Sequence, residues 1–294
     1  MNKDLKSFLE REKVGLILRV YAEEESQIPR RLQMVREFVD RALSVKHNGR
    51  TIISQINILV WADKNYPESD CGKTADGLKA IFPHAKGNKV FINTVEHGDL
   101  YCGLLNYGLT LQTQAHVHYS IIASAEAYSY FNEETLMAMV EAAKKGALAI
   151  GIALNKLTES ILEGRLANTF AMWHNLSLLS VGGFDLHAAK PIDPQKADYK
   201  IGWDEDEGEI HYHTAGVEEI IPLIRLVKYF GQCLAPILPQ GKGVQRYIVP
   251  TEPGLHKRHM AKMLTKTERQ TAHANWLGFS LTYLKGGILP EYRK

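Results

Sequence analysis

Short apolar runs rich in strand formers alternate in this chain with segments of helical period, an alternation that restricts the fold to layered α/β architectures. Val14 to Tyr21 is mostly apolar and fits a strand covered on both faces. Ala22-Glu23-Glu24-Glu25-Ser26 breaks it, and from Pro29 a helical period places Leu32, Val35, Phe38, Val39 and Leu43 on one face. Ile52 to Val60 carries Ile56, Ile58 and Val60 at a spacing of two and reads as a second strand. A helix over 74–82 and a third strand over 89–93 follow. Strand, helix, strand in this rhythm predicts a largely parallel sheet.

Tyr101 to Leu111 reads as a helix, and Val117-His118-Tyr119-Ser120-Ile121-Ile122-Ala123 as a buried strand that ends in Ser124-Ala125-Glu126. Open α/β sheets gather ligand chemistry beyond the carboxyl ends of their strands, where the loops diverge. Glu126 is expected in that crevice. A helix over 133–145 and a strand over 147–154 come next. Asn168, Met172, Asn175 and Leu179 are spaced by three or four and predict a helix over 166–179. Val181-Gly182-Gly183-Phe184-Asp185 supplies a double-glycine turn, and 193–209 is polar and acidic, the pattern of a loop. An apolar helix is expected over 220–234, ended by Pro236 and Pro239. One domain over 1–240 with an extension over 241–294 accounts for the pattern.

Bulk charge excludes little else. A net charge of +2 on 294 residues gives no electrostatic reason for a nucleic-acid partner. Cys71, Cys102 and Cys233 are odd in number, far apart and free of any C-x-x-C pair, so neither a disulfide framework nor a structural zinc site is expected. A reducing cytoplasm is the expected setting. Met1 to Lys13 mixes charged with apolar residues, unlike a signal peptide, and no apolar run reaches bilayer length. Membrane association, if any, is expected to be peripheral. Lys257, Arg258, Lys262, Lys266 and Arg269 could touch lipid headgroups, cover a diphosphate as a lid, or form an ordinary amphipathic helix face.

Several segments in order resemble the family 2 glycosyltransferases, enzymes of the A-type glycosyltransferase fold. Leu16 to Glu25 is similar to that family's opening strand, Ile58-Leu59-Val60-Trp61-Ala62-Asp63 to its V-V-D-D segment, and Gly103-Leu104-Leu105-Asn106-Tyr107-Gly108-Leu109 to its A-R-N-x-G-L. Ser124-Ala125-Glu126 stands where the family has Asp-x-Asp, and Val181-Gly182-Gly183-Phe184-Asp185 matches its V-G-G-F-D. Glu218-Glu219 stands where a Glu-Asp pair opens a helix. About the first 230 residues are covered. The departures are Arg19 for a proline, Ala22 for an asparagine, Ala62 for an aspartate, Leu105 for an arginine, and Ser124 for the first aspartate of Asp-x-Asp.

The resemblance implies a Rossmann-like, mostly parallel mixed sheet with helices on both faces, followed by a C-terminal helical extension. It implies transfer of a sugar from a nucleotide-diphosphate donor, with Mg²⁺ or Mn²⁺ neutralising the leaving diphosphate. Glu126 would be the metal ligand, joined by His256 from the extension. Arg19, Tyr21, Asp63, Ser124, Gly182 and Gly183 would border the donor nucleotide. Asp185 would hold an acceptor hydroxyl, and Glu218 or Glu219 would take its proton in an inverting transfer. The acceptor is not specified.

Two other readings stay open. Ser124, Ala62 and Leu105 fit a non-catalytic descendant that keeps the fold and binds a nucleotide, a glycan or a partner chain. His116 with His118, and His211 with His213, alternate as zinc-binding imidazole pairs on strands do, which would suit a metal hydrolase.

Overall fold

The computed structural model describes residues 3–20, 22, 25–61, 71–83, 89–95, 100–123, 125–152, 166–189, 218–241, 244 and 266–293. A helix α1 (Lys3–Arg11) precedes strand β1 (Val14–Val20), and helix α2 (Ile28–Ser44) follows it. A small hairpin, β2 (Lys46–His47) and β3 (Arg50–Thr51), leads into β4 (Ile53–Trp61). Then come α3 (Cys71–Ile81), β5 (Val90–Val95), α4 (Leu100–Gln114) and β6 (Tyr119–Ala123). A 3₁₀ turn (Ala125–Tyr130) and α5 (Glu133–Lys144) lead to β7 (Ala149–Ile152), β8 (Ala167–His174) and α6 (Asn175–Ser180). The remaining elements are α7 (Ile220–Phe230), β9 (Leu234–Ile237), α8 (Lys266–Trp276) and α9 (Thr282–Gly286).

The principal sheet has seven strands among the described residues, in the order β5-β4-β1-β6-β8-β7-β9. β4, β1 and β6 run parallel, as do β4 and β5, and β8 runs antiparallel to both β6 and β7. The expected α/β class, a mostly parallel mixed sheet between helices, is the observed one. Alternate residues of β1 feed two different cores. Val14, Leu16, Leu18 and Val20 join Val35, Phe38 and Val39 of α2 on one face, and Ile17 joins Leu104, Leu105 and Leu109 of α4 on the other. Burial on both faces is why the parallel strands read as continuous apolar runs.

The chain builds outward from β1 to β4 and β5, then returns across the sheet through α4 and lays β6 on β1's free side. Val14 pairs with Ile53 on one flank and with Tyr119 on the other. Strand order therefore reverses between β1 and β6, the topological position beyond whose carboxyl ends open α/β sheets place ligands. The 3₁₀ turn holding Glu126 leaves β6 at that end.

Two predicted elements differ. The segment expected to be helical over 166–179 is strand β8 to His174, and only then helix α6. Phe170 and Met172 enter one core while Ala171 and Trp173 enter the other, so both faces are apolar and the sequence period carries no strand signature. The helix expected over 220–234 stops at Phe230. Gly231 takes φ +72° there, and Pro236 sits in β9, which has a strand partner, β7, on one side and the isolated Leu234–Ile288 bridge on the other.

Phe131 is fully buried between two rings, with its centroid 5.0 Å from Phe38 and 5.0 Å from Phe170, edge to face in both cases. Phe131→Ala removes both contacts and leaves a cavity between α2 and the sheet. Urea denaturation should show a loss of about 3–5 kcal/mol with an unchanged slope.

Candidate functional site

The site is assembled at the carboxyl end of the sheet, on the face that α4 and α7 cover. Arg19 lies one residue before the end of β1. Its parity with Ile17 turns it toward that face, and it is partly buried. Cys102 sits in the first turn of α4 and is fully buried. Its thiol acts as a reporter of its surroundings. Burial pushes its pKa well above the ordinary value, the carboxylates of Glu218, Asp185 and Glu219 push it further, and the Arg19 guanidinium pulls it down. Three carboxylates and one cation, from three parts of the chain, thus lie within electrostatic reach of one thiol. The same environment keeps the sulfur protonated, so Cys102 is not a nucleophile at neutral pH.

The double-glycine turn is fixed by α4. Asn106 donates its Nδ2–H to the Phe184 carbonyl at 2.9 Å, and its Oδ1 accepts the Phe184 N–H at 2.8 Å. Gly182 and Gly183 take φ +94° and +66°, and a Cβ on Gly183 would lie 2.4 Å from Asn106 Oδ1. The turn can approach the amide this closely only without side chains. Asp185 follows directly, is 7% exposed, and pairs with Arg225 of α7 at 3.3 Å.

Glu218 and Glu219 immediately precede α7, where the helix dipole favours negative charge. Glu219 is fully buried, and Gln270 of α8 donates its amide N–H to Glu219 Oε1 at 3.2 Å. Helix α8 thereby reaches the same acidic group, with Gln270 and His273 both fully buried.

Arg19, Asp185, Glu218 and Glu219 all act electrostatically on the Cys102 thiol, and Gly182 and Gly183 form the turn just before Asp185. Glu126 lies in the turn beyond β6. Tyr21, Asp63, Ser124 and His256 lie outside the described residues, as do His211 and His213. Among the described residues no group of three His, Cys, Asp or Glu side chains is arranged to hold a metal ion. His116 and His118 do not share a strand face. His116 occupies a left-handed turn at φ +55°, and His118 Nδ1 accepts the Lys13 main-chain N–H at 3.1 Å, ahead of β6.

Asn106, Arg225 and Gln270 emerge as supporting residues without an assignment from sequence. A lone cation within the apolar run Ile220 to Val227 was the available signal for Arg225, since a charge on a buried helix needs a partner. Asn106 stands at the asparagine of the A-R-N-x-G-L-like segment, whereas Gln270 carries no comparable pattern.

No protein-family model matches the chain, and no curated protein matches it. Among solved structures it is similar to a cytidylyltransferase from Leptospira borgpetersenii, with 11% identity, a TM-score of 0.44, and coverage of 93% of this chain and 92% of that one. A mycobacterial protein gives 8% identity and a TM-score of 0.44 over 90% and 77% of the two chains. The mannosyltransferase PcManGT from Pyrobaculum calidifontis, solved with GDP-Man and Mn²⁺, gives 14% identity and a TM-score of 0.40 over 98% and 82%. At this level of likeness the assignment of the site falls to the chain's own geometry.

Asn106→Leu strips both hydrogen bonds from the Phe184 main chain and should cost about 2–3 kcal/mol in urea denaturation, against less than about 0.5 kcal/mol for an exposed control such as Arg30→Ala. The buried thiols make a second expectation. Cys233 is pushed up by burial from 9.0 to about 12, and Cys102 is raised as well. Above pH 9 the unfolded thiols release protons that the folded ones retain, so stability falls as pH rises from 9 toward 12. For Cys233 the loss should approach about 1.4 kcal/mol per pH unit in that range, and Cys233→Ala should make the urea-midpoint profile less steep, the raised Tyr119 and Tyr292 keeping the rest of the slope.

Proposed function

We propose that the chain is a glycosyltransferase that takes a sugar from a nucleotide-diphosphate donor bound in the crevice between β1 and β6. The observation that carries this reading is the set of buried acids Asp185, Glu218 and Glu219, two of them held by Arg225 and Gln270, on the sheet face toward which Arg19 points, beside a topological reversal. A guanidinium can pair with a phosphate through two parallel hydrogen bonds. Carboxylates beside it can orient a sugar hydroxyl and accept its proton. Together they match what displacement of a diphosphate by a hydroxyl requires.

In an inverting transfer the acceptor oxygen forms a bond to the anomeric carbon, and the bond from that carbon to the diphosphate oxygen breaks with its electron pair on the diphosphate. The hydroxyl proton passes to Glu218. Glu219 is held by Gln270 and fully buried, so it serves as a fixed charge beside the base rather than as the base. Asp185, held by Arg225, receives a hydrogen bond from the acceptor hydroxyl. Gly182 and Gly183 border the donor nucleotide in this reading. Tyr21, Asp63 and Ser124 belong to the donor side, with Asp63 accepting a ring N–H of the base.

Glu126 fits a hard divalent cation, because Mg²⁺ is commonly held by one or two carboxylates together with substrate phosphates and water. Bound there, Mg²⁺ or Mn²⁺ would neutralise charge on the departing diphosphate. His256 and the 241–294 extension complete the covering of the donor in this reading.

A binding-only role is the second reading. The ion pair of Asp185 with Arg225 favours it, because a carboxylate already neutralised has less to offer a substrate.

Thermal-shift measurements with UDP, GDP, CDP and dTDP, each with Mn²⁺, Mg²⁺ or chelator, test the donor site. One nucleotide should stabilise the protein only with metal, by about 2.7 kcal/mol at a hundredfold excess over Kd. Glu126→Ala should abolish the metal-dependent part, and Arg19→Ala should weaken nucleotide binding about tenfold or more. No shift with any nucleotide would remove the donor site. A shift without slow, metal-dependent hydrolysis of the matching nucleotide sugar would leave the binding-only reading.

A further inference from the structure

At the end of α7 remote from Glu218 and Glu219 the surface changes character. Lys228, Tyr229 and Phe230 form an exposed final turn, with Tyr229 74% and Phe230 47% exposed. Helix α9 packs against α7 here, since a Cβ on Gly287, just past α9, would meet the Val227 side chain. From α9, Tyr283 is 47% exposed and Lys285 is exposed while Leu284 is buried beneath them. Phe279 links the two elements, with the Lys228 ammonium 5.7 Å and the Arg225 guanidinium 5.9 Å from its ring centroid. Glu291 is the exposed acid of the neighbouring turn.

We propose that this corner docks on an anionic lipid surface. Aromatic rings with polar edges settle at the headgroup level, and cations beside them meet the negative surface potential. Composition separates this occupant from a protein partner. Interface cores between proteins are enriched in aromatic residues but depleted in lysine, whereas Lys228 and Lys285 stand among the rings here. Exposed rings and cations on two packed helices match a surface that is apolar below and negative above. Among the described residues no helix is long and apolar enough to cross a membrane, and none is required, because the contact is interfacial. The docking face lies at the far end of α7 from the proposed donor crevice, so docking leaves that crevice uncovered, and the inference does not depend on the proposed reaction.

Vesicle co-sedimentation of the full chain tests it, with phosphatidylcholine alone and with phosphatidylcholine mixed with phosphatidylglycerol. The protein should sediment with the anionic vesicles, more weakly as salt rises, and not with neutral ones. Reversing both charges, K228E with K285E, should weaken binding at least about tenfold. Y229S with F230S should do the same while circular dichroism remains that of the parent chain. Failure of the parent chain to sediment with anionic vesicles would overturn the proposal, as would unchanged binding by both double variants. Concentration-dependent dimers in light scattering that vanish in Y229S with F230S, without vesicle binding, would instead assign the corner to a second copy of the chain.

Discussion

The register of β1 between β4 and β6 is the constraint on which the rest depends. Leu16 faces Ile56 on one flank and Ile121 on the other, and both surfaces of the strand are covered. A slip of one residue would exchange its faces. Arg19 would then enter the core against α2, and Leu18 and Val20 would take its place among carboxylates. The register is pinned by Gln112, whose Nε2–H donates to the Leu16 carbonyl at 3.1 Å while its amide lies over Gly15. A Cβ at Gly15 would meet that amide at 2.3 Å, so the close contact needs glycine.

From that register the electrostatics of the site follow. Asp185, Glu218 and Glu219 are all nearly or wholly buried, and buried carboxylates need compensation. Arg225 supplies it to Asp185, Gln270 and the start of α7 supply it to Glu219, and Arg19 acts from β1. Among these described residues, three carboxylates stand with two guanidiniums.

Much of this was legible because it depends on local pattern. The strands of the first half announce themselves by β-branched runs, and Gly182-Gly183 announces a turn that only positive φ permits. β8 was not legible, since its two buried faces erase the alternation that marks a strand, and three- or four-residue spacing of Asn168, Met172, Asn175 and Leu179 imitates a helix. The end of α7 was misplaced for a related reason. Apolar residues continue from the helix into β9 without a break in hydrophobicity, and Gly231 was a better stop signal than Pro236. Within the site, the carboxylates could be proposed from sequence because they stand in ordered motifs. The partners of Arg225, Asn106 and Gln270 could not, because they lie 40, 78 and 51 residues away, even though Asn106 itself stands in a motif. A hydrogen bond across such a separation leaves no periodic trace in one sequence.

Helix α7 joins these results mechanically. Its eleven residues span about 16 Å, from the acidic pair at its start to the aromatic turn at its end. Between them Ile220, Ile221, Leu223, Ile224 and Leu226 are fully buried, so the helix cannot shift without opening the core on that face. Asp185 is tied to its middle through Arg225, and α8 is tied to its start through Glu219. A force applied at the exposed turn would therefore reach the carboxylates through one stiff, packed element, and the positions of the acids relative to Arg19 are set by how α7 seats against α4 and the sheet.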